Sequence, residues 1–421
     1  MLKKIPTYLI SLIPLSLIAG PFIAELILLI LSIYFIFKVN KNEIFLFRNK
    51  FFIGFIIFCS YITIRSLFTD QIYISLKSSL LYFRFAIYSI AIIYFLKKDD
   101  DALKINYTFY KYTFLFIIID SLIQVFIGKD IFGLEPNSEN LMRISGPFGD
   151  EFVLGSFIQK ILPIFIYLIF KKREIINKIH ISDYIILIFS FVIIYRSGDR
   201  SALGLILFFS VLFFLIYKEY RKKMLLIFGI FIIFSTLLSI QNPKISKRIF
   251  VDTIGQFKGE HHKELIKEND EGKKQKLLIF SFHHQAHFTT AFKMFISNPL
   301  FGHGLKMFRF NCKDFISNKK MVMYGCSTHP HNTYMQLLAE TGIIGFLTIF
   351  FLFLLICLKI IKKIIKNNNS LNPADCLLIA TFINLWPLIP TGNFFNNWLS
   401  MLYFLPVAFY LFETKKLEKI N

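Results

Sequence analysis

The chain has 421 residues, of which 55% are hydrophobic and 18% aromatic. A soluble domain of this length cannot bury so much apolar surface, and continuous apolar runs of about 17–25 residues exclude a membrane β-barrel, whose strands alternate polar and apolar residues. The net charge of +21 comes from short basic clusters between the apolar runs. That distribution is typical of membrane topology and argues against nucleic acid as a partner.

We therefore predict an all-α, polytopic membrane protein, a bundle of about 12 transmembrane helices in a lipid bilayer. The first apolar run continues into the second without a small-residue cleavage pattern, so it is not a cleaved signal peptide. The predicted spans lie near residues 6–19, 21–38, 51–68, 78–96, 107–127, 151–170, 183–196, 200–217, 223–240, 341–361, 373–390 and 396–413.

The lysines and arginines set the orientation of these spans. With the N-terminus in the cytoplasm, dense basic clusters such as Lys38 to Lys50 and Lys359 to Lys366 all face inward, as the positive-inside rule requires. Both termini are then cytoplasmic. The chain divides into helices 1–9 (residues 1–240), a large outward loop (241–340), and helices 10–12 with a cytoplasmic tail (341–421).

The outward loop is too long to be only a connection, and loops of this length are usually functional. A helix is expected in it over Leu277–Ser297. Cys312 and Cys326 lie in this loop, in a compartment that permits oxidation, and we predict a disulfide between them. It would close a loop of about 15 residues, contribute up to about 3 kcal/mol, and anchor the histidines that follow.

Two arginines, Arg196 and Arg200, lie in the tight outward turn YRSGDRSAL (195–203). Arg200 begins the next helix, and a helix N-terminus together with a guanidinium directs N–H donors at phosphate oxygens. The alternative is that both arginines snorkel to the lipid headgroups, with Asp199 as a local partner.

A second group of polar residues closes the loop. His329 and His331 flank Pro330, and Asn332 is a candidate N-cap for the next helix. A neutral imidazole here can take a proton from a sugar hydroxyl. The alternative is a pair of interfacial histidines bonded to nearby backbone.

The segment NPLFGHG (298–304) indicates a turn, in which Gly302 and Gly304 have a structural role. Upstream, His283 and His287 have the i, i+4 spacing of metal ligands, but no third ligand is clearly spaced to complete a site. We therefore predict no metal.

Taken together these segments resemble the O-antigen ligase and polymerase superfamily of bacterial inner-membrane glycosyltransferases. The resemblance rests on SGDRSA (197–202), NPLFGHG (298–304) and HPHNTYMQLLAETGIIG (329–345), with weaker support from RISGPFGDE (143–151).

The resemblance implies a donor glycan on undecaprenyl diphosphate, a sugar hydroxyl as acceptor, and no cofactor, since the lipid diphosphate stores the activation energy. The family's essential arginine falls on Arg200, with Arg196 and Arg143 assisting, and its loop histidine falls on His331, with His329 as second choice. Asn332, Gly302 and Gly304 would support this site.

One departure from the family concerns a second phosphate-binding arginine. Members often carry an arginine and a tryptophan upstream of the NPLFGHG-like motif, where this chain has histidines and Phe288. Arg248 and Arg309 are the candidates to replace that arginine.

The acceptor remains open, because a ligase uses lipid A–core and a polymerase uses another lipid-linked oligosaccharide; we favour the ligase. In either case the loop is periplasmic. A membrane transporter or flippase is the alternative of another class, and Arg84 and Asp120, well inside predicted spans, are the residues that favour it. These two residues are also candidates for a structural ion pair with each other.

Overall fold

The computed structural model of the chain describes residues 4–136, 143–176, 179–257, 280–316, 322–366 and 372–414. Within these ranges all regular secondary structure is helical. The α-helices are α1 (Ile5–Ser11), α2 (Ile13–Ala19), α3 (Pro21–Lys38), α4 (Lys50–Ser66), α5 (Ile72–Ser79), α6 (Arg84–Lys98), α7 (Ala102–Ile127), α8 (Leu154–Ile176), α9 (Ile181–Arg196), α10 (Arg200–Ile216), α11 (Arg221–Gln241), α12 (Pro243–Ser246), α13 (Asp252–Phe257), α14 (Phe282–Ser297), α15 (Phe308–Asn311), α16 (Val322–Gly325), α17 (Thr333–Lys366), α18 (Ala374–Asn384) and α19 (Asn397–Glu413). Shorter 3-10 segments cover Lys41–Arg48, Gly146–Phe148, Lys218–Tyr220 and Cys312–Phe315, and one π-helical turn covers Lys247–Val251.

Six helical segments in the described part of the chain are long and apolar enough to cross a membrane: Pro21–Lys38, Ile72–Lys98, Ala102–Ile127, Leu154–Glu174, Lys218–Gln241 and Thr333–Lys366. Arg200–Ile216 and Ala374–Asn384 are shorter apolar helices. The all-helical, multi-pass membrane class is thus confirmed, whereas the count of twelve spans and the periplasmic loop stay predictions.

Several helix boundaries differ from the predicted spans, and the differences fall at prolines and turns. The span predicted over 6–19 is two short helices, with Pro14 in the first turn of the second. The span predicted over 78–96 begins only at Arg84, after a turn that separates α5 from α6. The span predicted over 373–390 stops at Asn384, because Pro387 and Pro390 follow and disfavour helical backbone before them.

The helix expected over Leu277–Ser297 begins at Phe282. Ser281 is its N-cap, and the Ser281 hydroxyl accepts from the backbone N–H of His284 at 3.4 Å. Residues 277–279 of the expected helix lie outside the described residues.

The longest helix, α17, has a kink at Gly342, whose φ of 64° and ψ of −166° are not helical. The kink frees the Ala339 carbonyl, which accepts instead from the backbone N–H of His303 at 2.9 Å. The N–H of Ile343 donates in turn to the Pro299 carbonyl at 2.8 Å. The NPLFGHG segment therefore completes the backbone hydrogen bonding of a broken helix.

This packing explains the glycines of the segment. A Cβ on Gly302 would lie 2.5 Å from the Gly342 nitrogen, and one on Gly342 would lie 2.3 Å from the Leu300 oxygen. Both residues have positive φ. The two backbones approach so closely that only glycine fits at either position.

The structure joins Cys312 and Cys326 in a disulfide, with the two Cα atoms 5.5 Å apart. Cys312 is buried in a small apolar cluster with Met294, Phe308 and Ala339. This cluster packs α14 and α15 against the first turns of α17, so the segments that carry the histidines share one core.

Arg84 and Asp120 do not pair with each other, and that prediction was wrong. The Arg84 guanidinium forms an ion pair with Glu25 at 2.9 Å, which links α6 to α3. The Asp120 carboxylate accepts instead from the backbone N–H of Ile131 at 2.9 Å. Each has a nearer partner on a neighbouring segment, which sequence separation alone does not reveal.

Candidate functional site

The turn between α9 and α10 is shaped by its own side chains. Asp199 is the N-cap of α10, and its carboxylate accepts from the backbone N–H of Ala202 at 3.0 Å. Gly198 has a φ of 65°. Gly155 of α8 packs directly below, where a Cβ would lie 2.5 Å from the Ser197 hydroxyl oxygen. These contacts fix the carbonyls of the turn in place.

Two arginines from outside the turn bind those carbonyls. Arg143, which precedes α8, donates from Nε to the Ser197 oxygen at 2.8 Å. Arg248, which follows α12, donates from Nε to the Gly198 oxygen at 3.0 Å. Gly198 lies between them, since a Cβ there would be 3.3 Å from both arginine side chains. A turn carbonyl thus orients each of these two guanidiniums through its Nε.

Arg200 completes this arginine cluster of Arg143, Arg200 and Arg248. Its Nη1 donates to the Thr253 hydroxyl at 3.3 Å. The pKa of Arg143 is lowered to about 10, mainly by burial and also by the charges of Arg248 and Arg200, against the opposing effect of Asp199. Asp199 and Asp252 offset part of the charge of these three half-buried cations, which still repel one another, and an anion would relieve this repulsion.

Arg196, the remaining arginine of the predicted site, ends α9 and is half-buried. The charges that act on Arg143 are those of Arg248, Asp199 and Arg200. Arg248 thus belongs to the arginine cluster, whereas the sequence indicated it only as one of two candidates for a second phosphate-binding arginine.

Four imidazoles form a histidine cluster, His284, His287, His329 and His331. The ring centroid of His331 lies 4.1 Å from that of His329, 5.3 Å from that of His287 and 5.7 Å from that of His284. The two histidines predicted from the loop therefore meet two more from α14. The i, i+3 spacing of His284 and His287 places both on one helix face, and it is the only signal in the sequence for this contact.

Burial keeps the histidine cluster neutral. It lowers the pKa of His331 to about 4, with a further contribution from His287. It lowers the pKa of His284 to about 4 and that of His329 to about 3, in both cases with His331 as the next cause. At neutral pH these imidazoles are uncharged and able to accept a proton.

His331 is held in an unusual backbone conformation, with a φ of 56°. Its carbonyl accepts from the backbone N–H of Thr391 at 2.8 Å. The Asn332 amide next to it donates to the carbonyls of Pro387 at 2.8 Å and Ile389 at 3.1 Å, and its oxygen caps the first turn of α17. A non-glycine residue persists at positive φ only where its surroundings impose it, so the α18–α19 connection sets the direction of His331.

The histidine cluster and the arginine cluster are neighbours. Burial is the main cause of the lowered pKa of His284, and the charge of Arg200 is a smaller one. The His284 ring contacts that of His331. Arg309 acts in the same way on His329. The site therefore has cationic groups that suit an anion next to a neutral base.

Gly302 and Gly304 lie outside this arrangement and act through packing. A Cβ on Gly304 would lie 2.0 Å from the Thr69 methyl carbon, and its φ is 101°. His303 between them is bonded within the loop, with Nε2 at 2.9 Å from the Ser297 hydroxyl.

The histidine pair considered for metal is separated by its contacts. The His283 ring packs on Tyr324, 5.1 Å between centroids, whereas His287 turns to His331. Among the residues that the structure describes, no group of three or more histidines, cysteines or acidic residues is placed to hold a metal ion.

Comparison with known proteins finds one family model that matches part of the chain. The family model described as O-antigen ligase matches residues 185–350, which include the arginine turn, the NPLFGHG segment and the histidines. Among the curated proteins, none matches the chain. The family match includes all three segments that carried the sequence resemblance, and it supports the similarity of the chain to the O-antigen ligase and polymerase superfamily.

Proposed function

We propose that the protein is an O-antigen ligase of the bacterial inner membrane, which transfers a glycan from undecaprenyl diphosphate to a sugar hydroxyl of lipid A–core on the periplasmic face. The observation that carries this proposal is the arginine cluster beside the histidine cluster. The first suits the diphosphate of the donor, and the second suits the hydroxyl of the acceptor.

On the donor side, Arg143, Arg200 and Arg248 would bind the diphosphate. The turn carbonyls orient Arg143 and Arg248 through Nε, and their amino groups would donate to phosphate oxygens. During transfer the C–O bond between the anomeric carbon and the diphosphate breaks, and negative charge grows on the leaving group. Guanidiniums held in place before the reaction stabilise that charge without reorganising.

On the acceptor side, His331 is the general base that we favour, with His329 as second choice. The hydroxyl oxygen attacks the anomeric carbon, its proton passes to the imidazole, and the bonding electrons leave with the diphosphate. His331 must be neutral to do this, which its lowered pKa ensures.

The same low pKa makes His331 a weak base in the empty site. A diphosphate bound by the neighbouring arginines adds negative charge, which favours the imidazolium and raises the pKa of His331. Donor binding would thus prepare the base. This coupling makes the proton transfer depend on the charge of the donor and requires no cofactor.

A lipopolysaccharide gel from a deletion strain tests the proposal, with the strain complemented by wild type, Arg200→Ala or His331→Ala at matched expression. We expect bare lipid A–core in the deletion strain and both variants, and a ladder restored by wild type. Core carrying a single repeat would identify a polymerase instead. An unchanged ladder in all strains would overturn the assignment to lipopolysaccharide.

A further inference from the structure

A second group of cationic side chains, separate from the arginine cluster, includes a residue whose charge acts on His329. Burial is the main cause of the lowered pKa of His329 and of Lys306, and the charge of Arg309, in α15, contributes to both. Lys77, exposed on α5, also lowers the pKa of Lys306. Lys306 and Arg309 are half-buried. We call these three residues the second cation group; they come from different segments than the arginine cluster.

One buried carboxylate, Glu340, acts on this group and raises the pKa of Lys306. Its oxygens are already engaged, since one accepts from the backbone N–H of Phe308 at 3.4 Å and the other from the Gln336 amide at 2.9 Å. Asp70 nearby accepts from the Asn311 amide at 3.5 Å. Glu340 therefore shapes the Lys306–Phe308 turn.

The backbone of the second cation group is fixed in a costly conformation. Lys306 has a φ of 62°, a region that favours glycine, although glycines are used at positions 302 and 304 just before it. A non-glycine residue keeps this conformation only where its surroundings impose it, so the turn fixes the backbone of Lys306. The Gly304 N–H donates to the Glu340 carbonyl at 2.7 Å and holds the turn on α17.

The disulfide connects this group to the histidines. Cys312 follows Arg309 by three residues, and Cys326 precedes His329 by three. Because the apolar cluster around Cys312 also includes Phe308 and Ala339, the cations and His329 belong to one packed unit. A ligand held by Lys306 and Arg309 would have a fixed position relative to the base.

We propose that Lys306 and Arg309, with Lys77 at the edge, bind a phosphate group of the acceptor and so present its sugar hydroxyl to the histidine cluster. This inference rests on the proposed function and adds the chemical class of the acceptor, a phosphate-bearing amphiphilic glycan. The phosphate has two possible sources, the phosphorylated saccharide of lipid A–core or the diphosphate of a second lipid-linked oligosaccharide.

The test uses the full chain, purified into nanodiscs, with a labelled lipid-diphosphate glycan as donor at saturation. Lys306→Asn with Arg309→Gln removes both charges, and asparagine tolerates the positive φ at 306. Lys313→Gln, an exposed lysine on the neighbouring 3-10 segment, is the matched control. The acceptors are lipid A–core, the same lipid after phosphatase treatment, and an undecaprenyl-diphosphate oligosaccharide.

We expect the double variant to raise the KM for the phosphate-bearing acceptor about tenfold to a hundredfold, the loss expected for charge-assisted hydrogen bonds. The KM for the donor should stay unchanged, and the KM for the dephosphorylated acceptor should change far less than that for the phosphate-bearing acceptor. The acceptor that responds identifies the source of the phosphate. A double variant with the KM of wild type for every acceptor would overturn the inference.

Two further measurements separate the possible failures. Labelling of free thiols, which should be the same in wild type and double variant, shows that the Cys312–Cys326 unit has formed. If wild type itself transfers glycan to none of the acceptors, the proposed function fails and this inference fails with it. If wild type transfers and only the charge dependence is missing, the second cation group alone is refuted.

Discussion

His331 shows how a site residue is defined by its surroundings. The HPHN motif identifies it in the sequence, and the structure adds a positive φ, a carbonyl bonded to Thr391 and three imidazole neighbours. Its low pKa follows from burial and from His287. None of these properties could be predicted from the sequence, because they depend on segments far away in the chain.

The buried histidines predict a pH dependence of stability. In the folded protein the pKa of His331 and that of His284 are about 4, against an ordinary value of 6.5. Below pH 6.5 the unfolded chain binds more protons than the folded one, so stability is greatest above pH 6.5 and is lost as the pH falls toward 4. We expect the temperature of the thermal unfolding midpoint to decrease as the pH is lowered from 7 to 5.5.

The control for this experiment is a double variant, His284→Gln with His329→Gln, measured over the same pH range. Ordinary carboxylates stay ionised in this range and therefore contribute little to the change in stability. Its unfolding midpoint should depend less steeply on pH than that of wild type. Equal slopes in the two proteins would show that these histidines are not the source of the effect.

The position of Arg248 at the arginine turn could not be predicted from the sequence. The turn and Arg200 are visible as a motif, but Arg248 lies about fifty residues later, after α11. Only the fold brings its Nε to the Gly198 carbonyl. The resemblance implied a second phosphate-binding arginine that this chain lacks at the usual place. Arg248 is a candidate for it, because the structure places Arg248 at the turn that precedes Arg200.

The NPLFGHG segment and the kink of α17 form the element that supports the site. They exchange backbone hydrogen bonds, so each depends on the other for satisfied polar groups. The sequence predicted a turn there with two structural glycines. It could not predict the partner, because the kink at Gly342 occurs inside a continuous apolar run that resembles an ordinary span.

We predict that Gly342→Ala destabilises this element by about 2 kcal/mol or more. The new methyl group would meet the Leu300 oxygen at 2.3 Å, and the φ of 64° is unfavourable for alanine. Gly204→Ala is the control, since nothing lies within 4 Å of a Cβ there. The unfolding midpoint should fall for Gly342→Ala and stay equal or rise for Gly204→Ala; equal midpoints for both would contradict the packing.

The disulfide between Cys312 and Cys326 can be tested directly by labelling the thiols of the chain. The chain has five cysteines, and Cys59, Cys357 and Cys376 are free in the structure. After denaturation without reductant, a maleimide mass tag should modify these three, and after reduction all five. Five tags without reductant would show that Cys312 and Cys326 are thiols in the native protein.

At the scale of the whole molecule, composition was enough to predict the structural class but not the positions at which the helices end. The apolar runs predicted an all-helical membrane protein, and the structure has that class. The positions of helix ends were less predictable, because Pro14, Pro387 and Pro390 interrupt runs that are apolar throughout. Hydrophobicity identifies a run but does not show where its backbone stops being helical.

The molecule as a whole brings together three regions that the sequence separates. Arg143 comes before α8, Arg200 and Arg248 flank α10 and α11, and the histidines lie on α14 and before α17. The groups that we propose for the donor and for the acceptor thus come from different segments, and their roles should be separable by mutation.

The most direct test measures donor binding and glycan transfer separately in purified protein, for wild type, Arg248→Ala, His331→Gln and, as a control, His180→Gln at the exposed start of α9. We predict that Arg248→Ala weakens donor binding, and that His331→Gln binds donor as wild type does but transfers about a hundredfold or more slowly. His180→Gln should resemble wild type in both measurements. Wild-type transfer by His331→Gln, or unchanged donor binding by Arg248→Ala, would contradict the assigned roles.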